Sequence, residues 1–325
     1  MNDADFATRL LHWFDLHGRH DLPWQQPRSP YRVWLSEVML QQTQVATVIP
    51  YFERFLLRFP DLATLASATV DDVLAHWAGL GYYSRGRNLH RAAQRCIELH
   101  DGELPRTPEE LVALPGIGRS TAAAILAQAH GLRAAILDGN VKRVLARHAG
   151  VAGFPGQPAI ERQLWAIAES RLPDTRLADY TQALMDLGAT VCTPKRPQCA
   201  TCPVHGDCQA LAADRVHLLP TPKARKTVPE RRVVMLVVID RASRILFERR
   251  PPSGIWGGLL GLPEFDTHVA AKHAVATRWS SDIAPDRVAP YRHVFTHFKL
   301  DIEPLIVHLD EAAAVADANH EWHGP

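Results

Sequence analysis

The sequence predicts a mainly α N-terminal region followed by a smaller α+β domain, and three observations predict that order. Apolar residues recur at helical spacing as far as about residue 190. The segment Leu114-Pro115-Gly116-Ile117-Gly118-Arg119-Ser120-Thr121 joins two such stretches in a tight hairpin, and from Val233 the pattern turns to β-branched runs. With 325 residues, 46% hydrophobic and 22% charged, the chain suits about two globular domains. We expect residues 1–212 to form the helical region, 213–230 a linker and 231–325 the second domain.

Phe6, Leu10, Leu11 and Phe14 mark the first helix, which Pro23-Trp24 breaks. Ser29 and Pro30 form a start signal for a helix over Tyr31 to Gln42, apolar on nearly every side. Glu37 sits in its middle. Lost hydration disfavours the charged carboxylate and raises its pKa, unless an arginine such as Arg32 or Arg143 pairs with it. Residues 61 to 100 read as two helices around Leu80-Gly81-Tyr82-Tyr83-Ser84-Arg85. Aromatic rings on a turn beside positive charge can wedge into a base stack, although a tyrosine pair is more often core. Arg85, Arg87, Arg91 and Arg95 form one basic cluster and Lys142, Arg143 and Arg147 another, either of which alone reads as a solvated helix face. Thr107-Pro108-Glu109-Glu110 opens the helix before the hairpin.

In the hairpin, Pro115 and Gly116 end one helix and Ser120 or Thr121 opens the next. Glycines there leave backbone N–H groups uncovered at a helix N-terminus, which suits a phosphate oxygen as well as an ordinary connection. Asp138 follows an apolar run and precedes Gly139-Asn140. It is placed to cap the helix Val141 to His148 and also to hold a carboxylate in a partly dry crevice. Further helices are expected over 159 to 189.

Cys192, Cys199, Cys202 and Cys208 then follow the spacing C-x6-C-x2-C-x5-C. The start, Met1-Asn2-Asp3-Ala4-Asp5, carries acids where a signal peptide needs basic residues, and no apolar stretch approaches a membrane span, so an intracellular protein is expected. In that setting four clustered cysteines call for a metal, either structural zinc or an iron–sulfur cluster. Cys96 reads as a small buried hydrophobe. The net charge is only +1 and does not by itself announce a nucleic-acid binder. Beyond the linker, strands are expected at Val233 to Ile239, Ile245 to Glu248 and within Tyr291 to Leu309, with a helix at His268 to Trp279. One or two strands are expected within Tyr291 to Leu309, and a strand across Tyr291 to Ile302 would bury Val294, Phe298, Leu300 and Ile302 and present His293, Phe295 and His297.

Taken together, Leu35 to Gln44, Gly79-Leu80-Gly81-Tyr82-Tyr83, Leu114 to Thr121, Leu137 to Arg143 and the four-cysteine spacing closely resemble the adenine DNA glycosylases of the MutY type, over nearly the whole chain. The resemblance implies a helix-hairpin-helix glycosylase fold and a 4Fe-4S cluster on the four cysteines. It also implies a Nudix-like C-terminal domain that recognises 8-oxoguanine. The partner would be double-stranded DNA with adenine opposite 8-oxoguanine or guanine, met by a monomer in the bacterial cytoplasm, at the nucleoid and away from membranes.

The resemblance assigns Glu37 as the acid that protonates adenine at N7, and Asp138 as an ionised carboxylate that stabilises the sugar cation, with Asn140 beside it. Gln42 and Tyr82 become wedge residues, Thr43 and Leu80 contacts around 8-oxoguanine, and Trp24 and Gln182 part of the adenine pocket. Gly116, Gly118 and Lys142 are expected on DNA. Bifunctional relatives of the endonuclease III type carry a lysine where Ser120 stands. A hydroxyl cannot form an imine, so no efficient strand cleavage is expected. Two departures stand out: Phe295-Thr296-His297 replaces the usual Phe-Ser-His, which bears on Thr296 and His297 as contacts to the lesion, and the family's final helix has no counterpart before Pro325, so a shortened C-terminal domain is expected. Ala270 to Trp279 holds no acid, which argues against metal-dependent Nudix hydrolysis. A DNA-binding module without activity is the remaining alternative.

Overall fold

A computed structural model describes residues 3–223, 228–251, 254, 257–295, 298–310 and 319–324. The chain divides into two compact units, Met1–Ala224 and Arg225–Pro325. The first is helical: α1 (Asp3–His17), α2 (Pro30–Leu40), α3 (Val45–Arg58), α4 (Leu62–Ser67), α5 (Val70–Trp77), α6 (Ser84–Leu99), α7 (Pro108–Ala113), α8 (Arg119–His130), α9 (Gly139–His148), α10 (Pro158–Ser170), α11 (Leu177–Asp186) and α12 (Gln209–Ala212), with a π-helical turn at Leu187–Val191.

The expected start signals hold at two helices. The Ser29 hydroxyl accepts from the Arg32 N–H ahead of Pro30, and Thr107 accepts from the Glu110 N–H ahead of Pro108. α2 stops at Leu40, because Gln42 turns into the left-handed region at φ +59°. The hairpin differs in detail from expectation. Gly118, not Ser120 or Thr121, is the N-cap of α8, and Ser120 lies inside its first turn, where Oγ accepts from the Leu137 N–H at 3.0 Å. Gly116 is required twice over: its φ is +78°, and a Cβ there would lie 2.9 Å from Asn88 Cβ.

Two apolar cores fill this unit. One gathers Trp34, Phe52, Phe55, Phe59 and Trp77 from α2, α3 and α5, and includes fully buried Cys96; the other gathers Phe6, Leu10, Phe14, Leu145 and Leu184 from α1, α9 and α11. The alanine-rich α8 belongs to both, giving Ala122, Ile125 and Leu126 to the first and Ala123 and Ala124 to the second. Small side chains let neighbouring helices approach its axis closely. Packing continues into the segment expected to be a linker: Leu219 is buried, and its carbonyl accepts from Arg147 Nε at 2.7 Å.

The two basic clusters do not survive as surfaces. Arg85 and Arg147 are buried, and Arg143 donates to the carbonyls of Cys192 and Gly188, so only part of each cluster, such as Arg91 and Arg95, faces solvent. Alternation of charge along a helix does not reveal that a guanidinium can turn inward where loop carbonyls need donors.

Among the described residues, the second unit is a mixed sheet with one helix. Its strands are β1 (Glu230–Ile239), β2 (Ile245–Arg249), β3 (Leu260–Gly261), β4 (Glu264–Phe265), β5 (Asp286–Arg287), β6 (Tyr291–Val294), β7 (Lys299–His308) and β8 (His320–His323), with α13 (His268–Arg278) after β4. The order is β3-β2-β1-β7-β5; β4 pairs with β1, β6 with β7 and β8 with β2. β1 and β7 run parallel in register from Glu230↔Lys299 to Ile239↔His308. Val234, Leu236, Val238, Leu305 and Val307 pack under Ala271 and Val275 of α13, while Val233, Met235, Phe298 and Leu300 form a separate cluster. Of the one or two strands expected within Tyr291 to Leu309 the structure has two, β6 and β7, paired as a hairpin. The reversal resets the alternation, so Phe298 and Leu300 are buried as expected but Val294 is 63% exposed.

Candidate active site

A cavity of about 1010 Å³ opens in the helical unit, and eight of the sequence-designated residues line it: Trp24, Glu37, Gln42, Thr43, Ser120, Asp138, Asn140 and Gln182. α2 brings Glu37, the turn after α2 brings Gln42 and Thr43, and the α8 N-terminus brings Ser120. The α9 N-terminus adds Asp138 and Asn140, and α11 adds Gln182.

Glu37 and Asp138 face this space in unlike settings. Neither arginine weighed as a partner reaches Glu37: Arg32 donates to the Pro23 carbonyl, and Arg143 to Asn140 Oδ1 at 2.8 Å. The contact Glu37 does have is the Gln128 amide, with Nε2 at 3.5 Å from Oε1. Burial, and after it the charge of Asp138, push the Glu37 carboxyl up to about 8. Part of its residue surface stays open to the cavity, but the apolar wall around the carboxyl governs its proton affinity. Asp138 is the N-cap of α9, its Oδ1 accepting from the Val141 N–H at 2.7 Å. Burial raises its pKa too, against the Val141 amide, the Arg143 charge, the Asn140 amide and the Lys142 charge, which lower it. With those partners Asp138 ionises before Glu37.

The rest of the site is fixed from behind. Arg143 Nη2 holds both Asn140 Oδ1 and the Gly188 carbonyl, and Gly188 lies so close that a Cβ there would sit 2.6 Å from Asn140 Cβ. Gln182 Nε2 donates to Asp186 Oδ1 at 2.8 Å, and Asp186 in turn accepts from Arg19 Nη2 at 2.6 Å and Arg19 N at 2.8 Å. This leaves Gln182 Oε1 buried and, among the described residues, without a hydrogen-bond partner in the cavity wall. Trp24 is held edge-on against Phe52 at 5.4 Å. Sequence reasoning missed Arg19, Gln128 and Asp186 as site residues. A lone glutamine in an alanine-rich helix, and an acid one turn after Gln182, were the available signals.

The other designated residues lie apart from the cavity lining. Tyr82 is 42% exposed at φ +47°, whereas Leu80 is buried. Gly116 and Gly118 form the hairpin, and a Cβ at Gly118 would meet open space, so the α8 N-terminus is uncovered. Lys142 is tied to Glu161 at 2.6 Å. Thr296 and His297 lie outside the described residues.

Cys192, Cys199, Cys202 and Cys208 surround one pocket together with Arg147, Val191, Val204's neighbour His205 and Leu211. Among the described residues, no three His, Cys, Asp or Glu side chains form a group able to hold a metal ion. Four thiols around a shared pocket supply the donor set that an iron–sulfur cluster would take. Burial pushes the Cys202 thiol up to about 11, so a bound metal cation would favour the thiolate there. Arg147 Nη1 lies 3.4 Å from Cys192 Sγ, a donor of the kind that tunes such clusters.

Residues 35–170 match the HhH-GPD superfamily of base excision DNA repair proteins, and residues 234–325 match the NUDIX domain. The chain is 35% identical over 325 residues to an adenine DNA glycosylase of Buchnera aphidicola subsp. Acyrthosiphon pisum, covering 99% of this chain and 93% of that one. It belongs to the adenine DNA glycosylase family. The mouse adenine DNA glycosylase is 34% identical across 98% of this glycosylase and 73% of its own length. The human one is 47% identical over 214 residues, which cover 63% of this chain and 39% of that one. Among solved structures, a thermostable thymine-DNA glycosylase superposes with a TM-score of 0.59 at 26% identity, covering 65% of this chain and 97% of its own. An endonuclease III from a DNA complex superposes at 0.54 and 21% identity, over 64% and 94%, and shares the fold. This is a base-excision-repair DNA glycosylase with a helix-hairpin-helix region and a Nudix-like domain. Among the described residues no helix is long and apolar enough to cross a membrane.

Proposed function

We propose that this glycosylase removes adenine mispaired with 8-oxoguanine or guanine from double-stranded DNA, by hydrolysis and without efficient strand cleavage, acting as a monomer. The observation that carries the reading is the pair of carboxyls in one cavity, Glu37 holding its proton to about 8 and Asp138 seated on a helix N-terminus. A base inside a duplex cannot reach them, so adenine must be flipped out. Gln42 and Tyr82 act as wedges from exposed turns, and the uncovered α8 N-terminus at Gly118 takes a backbone phosphate.

In the cavity Glu37 passes its proton to adenine N7. The bond from C1′ to N9 then breaks with its electron pair going to N9, and ionised Asp138 stabilises the oxocarbenium-like sugar or bonds to it transiently. Water adds at C1′ and yields its proton to a carboxylate. Gln182 Oε1, buried and unpartnered among the described residues, matches the exocyclic amine of adenine, and Trp24 supplies an apolar wall. Asn140, fixed by Arg143, stands beside Asp138. Ser120 is occupied by the Leu137 N–H and has no amine for a Schiff base.

Cys192, Cys199, Cys202 and Cys208 would hold a 4Fe-4S cluster, which when bound supplies a four-point crosslink for the 192–208 segment. Iron-loaded protein should absorb near ~400 nm with about four irons per chain. The Nudix-like domain is assigned to recognition of the oxidised base through Thr296 and His297. α13 carries no acidic residue, which supports recognition over metal-dependent hydrolysis.

The test is single-turnover release of free adenine from duplex with adenine opposite 8-oxoguanine, repeated with guanine opposite, for the intact protein and Glu37→Gln. Release that collapses in the variant supports the reading. No release from folded, iron-loaded protein refutes it. Rapid incision without alkali, with a borohydride-trapped adduct, would refute the monofunctional part.

A further inference from the structure

Arg85 is 8% exposed, buried beside two loops, and has no part in the chemistry above. Its Nη1 lies 3.0, 2.8 and 2.6 Å from the carbonyl oxygens of Val38, Met39 and Gln41 at the end of α2. Its Nη2 lies 3.0 and 3.2 Å from the carbonyls of Leu80 and Gly81, and 3.2 Å from Thr43 Oγ1. One guanidinium thus joins the 41–44 turn to the 79–83 loop, and it also lies 5.7 Å from the Tyr82 ring centre.

Each loop carries a non-glycine residue in the left-handed region, Gln42 at φ +59° and Tyr82 at φ +47°. Such backbone persists where the surroundings over-determine it, and it concentrates at functional segments. A planar fork of donors in contact with both loops supplies that constraint, whereas an ammonium cannot span the same set of acceptors.

We propose that Arg85 is a positioning residue that clamps the two loops into one two-pronged unit, so that Gln42 and Tyr82 enter a DNA duplex together rather than separately. The inference rests on the wedge reading of those two residues. A clamp makes a distinctive prediction, because losing either prong then forfeits the benefit of both, whereas independent prongs lose affinity separately.

The experiment is a double-mutant cycle on the full chain, reading Kd at fixed salt for a duplex with 2′-fluoro-deoxyadenosine, which resists cleavage, opposite 8-oxoguanine. With Arg85 present, Gln42→Ala and Tyr82→Ala should each weaken binding about tenfold, and the double variant scarcely more. In the Arg85→Lys background the two losses should multiply towards about a hundredfold. Thr43→Val removes one bridging contact without touching the guanidinium and should move the cycle the same way, so a poorly folded Arg85→Lys protein leaves the test intact. Losses that already multiply with Arg85 present, or a cycle that both background changes leave unaltered, overturn the clamp while sparing the wedges. No weakening by either single variant sinks the wedge reading and the clamp with it.

Discussion

Glu37 and Asp138 share one cavity but meet it from different helix positions, and the contrast shows how a fold makes an acid and an anion from similar groups. Glu37 projects from the middle of α2, where every backbone N–H is already engaged, and its contact is a long one to Gln128. Asp138 sits at the start of α9, where free N–H groups and the cations of Arg143 and Lys142 favour negative charge. Both are buried, so burial alone does not separate them. The number of donors does.

Removing the proton donor should have the largest effect. Glu37→Gln should slow single-turnover adenine release ~10³-fold, within the range for a lost general acid. Asp138→Asn keeps a side-chain oxygen for the Val141 N–H, so it should cost the rate ~10²-fold while leaving the melting temperature nearly unchanged. An equal fall in melting temperature for Asp138→Asn and Asp138→Ala would mean that the cap and the charge were not separable there.

The pH profile sharpens the same comparison. The rate should fall as pH rises through about 8, where Glu37 loses its proton. On the acid side it should fall as Asp138 protonates, above the ordinary carboxylate value of 3.8. A profile without the alkaline limb would remove Glu37 from the role of acid. Stability should respond to the same proton over a wider window. The unfolded chain gives up the Glu37 proton near 4.5, whereas the folded chain keeps it to about 8, so this group makes the protein less stable as pH rises between those values. Glu37→Gln should therefore melt higher than the parent at pH 8 by the equivalent of about 1–3 kcal/mol, and nearly equal to it at pH 4.5. The smallest effect is expected at Ser120→Ala, which leaves the Leu137 N–H without its acceptor and should cost about 1 kcal/mol in denaturant unfolding.

Much of this was legible in the sequence, for reasons specific to particular residues. The capping role of Asp138 and the change of period near Val233 follow from local rules, and the structure keeps them. Residues 61 to 100, however, hold three helices, α4, α5 and α6, where two were expected, because Thr69 caps a fresh start at Val70 within one apolar stretch. The isolation of Glu37 was only half legible, because whether an arginine reaches a buried acid depends on tertiary geometry. Arg85 and Arg147 were misread as surface charge because sequence records the charge and not the carbonyls that claim it. Val294 was misassigned because a turn within Tyr291 to Ile302 shifted the alternation. Asp186 stands one turn after Gln182 and was legible as a local pair, but Arg19 escaped notice because it meets Asp186 across 167 positions, a separation no local pattern spans.

The parallel pairing of β1 with β7 bears on the order of events during synthesis. Glu230 meets Lys299, about seventy positions later in the chain, so the central ladder of the sheet must wait for nearly the whole second unit to leave the ribosome. The cavity residues, from Arg19 to Ala189, all emerge before β1 does. A nascent chain can thus gather its two carboxyls while the sheet's central strands still lack each other, and slow sheet formation need not delay assembly of the cavity.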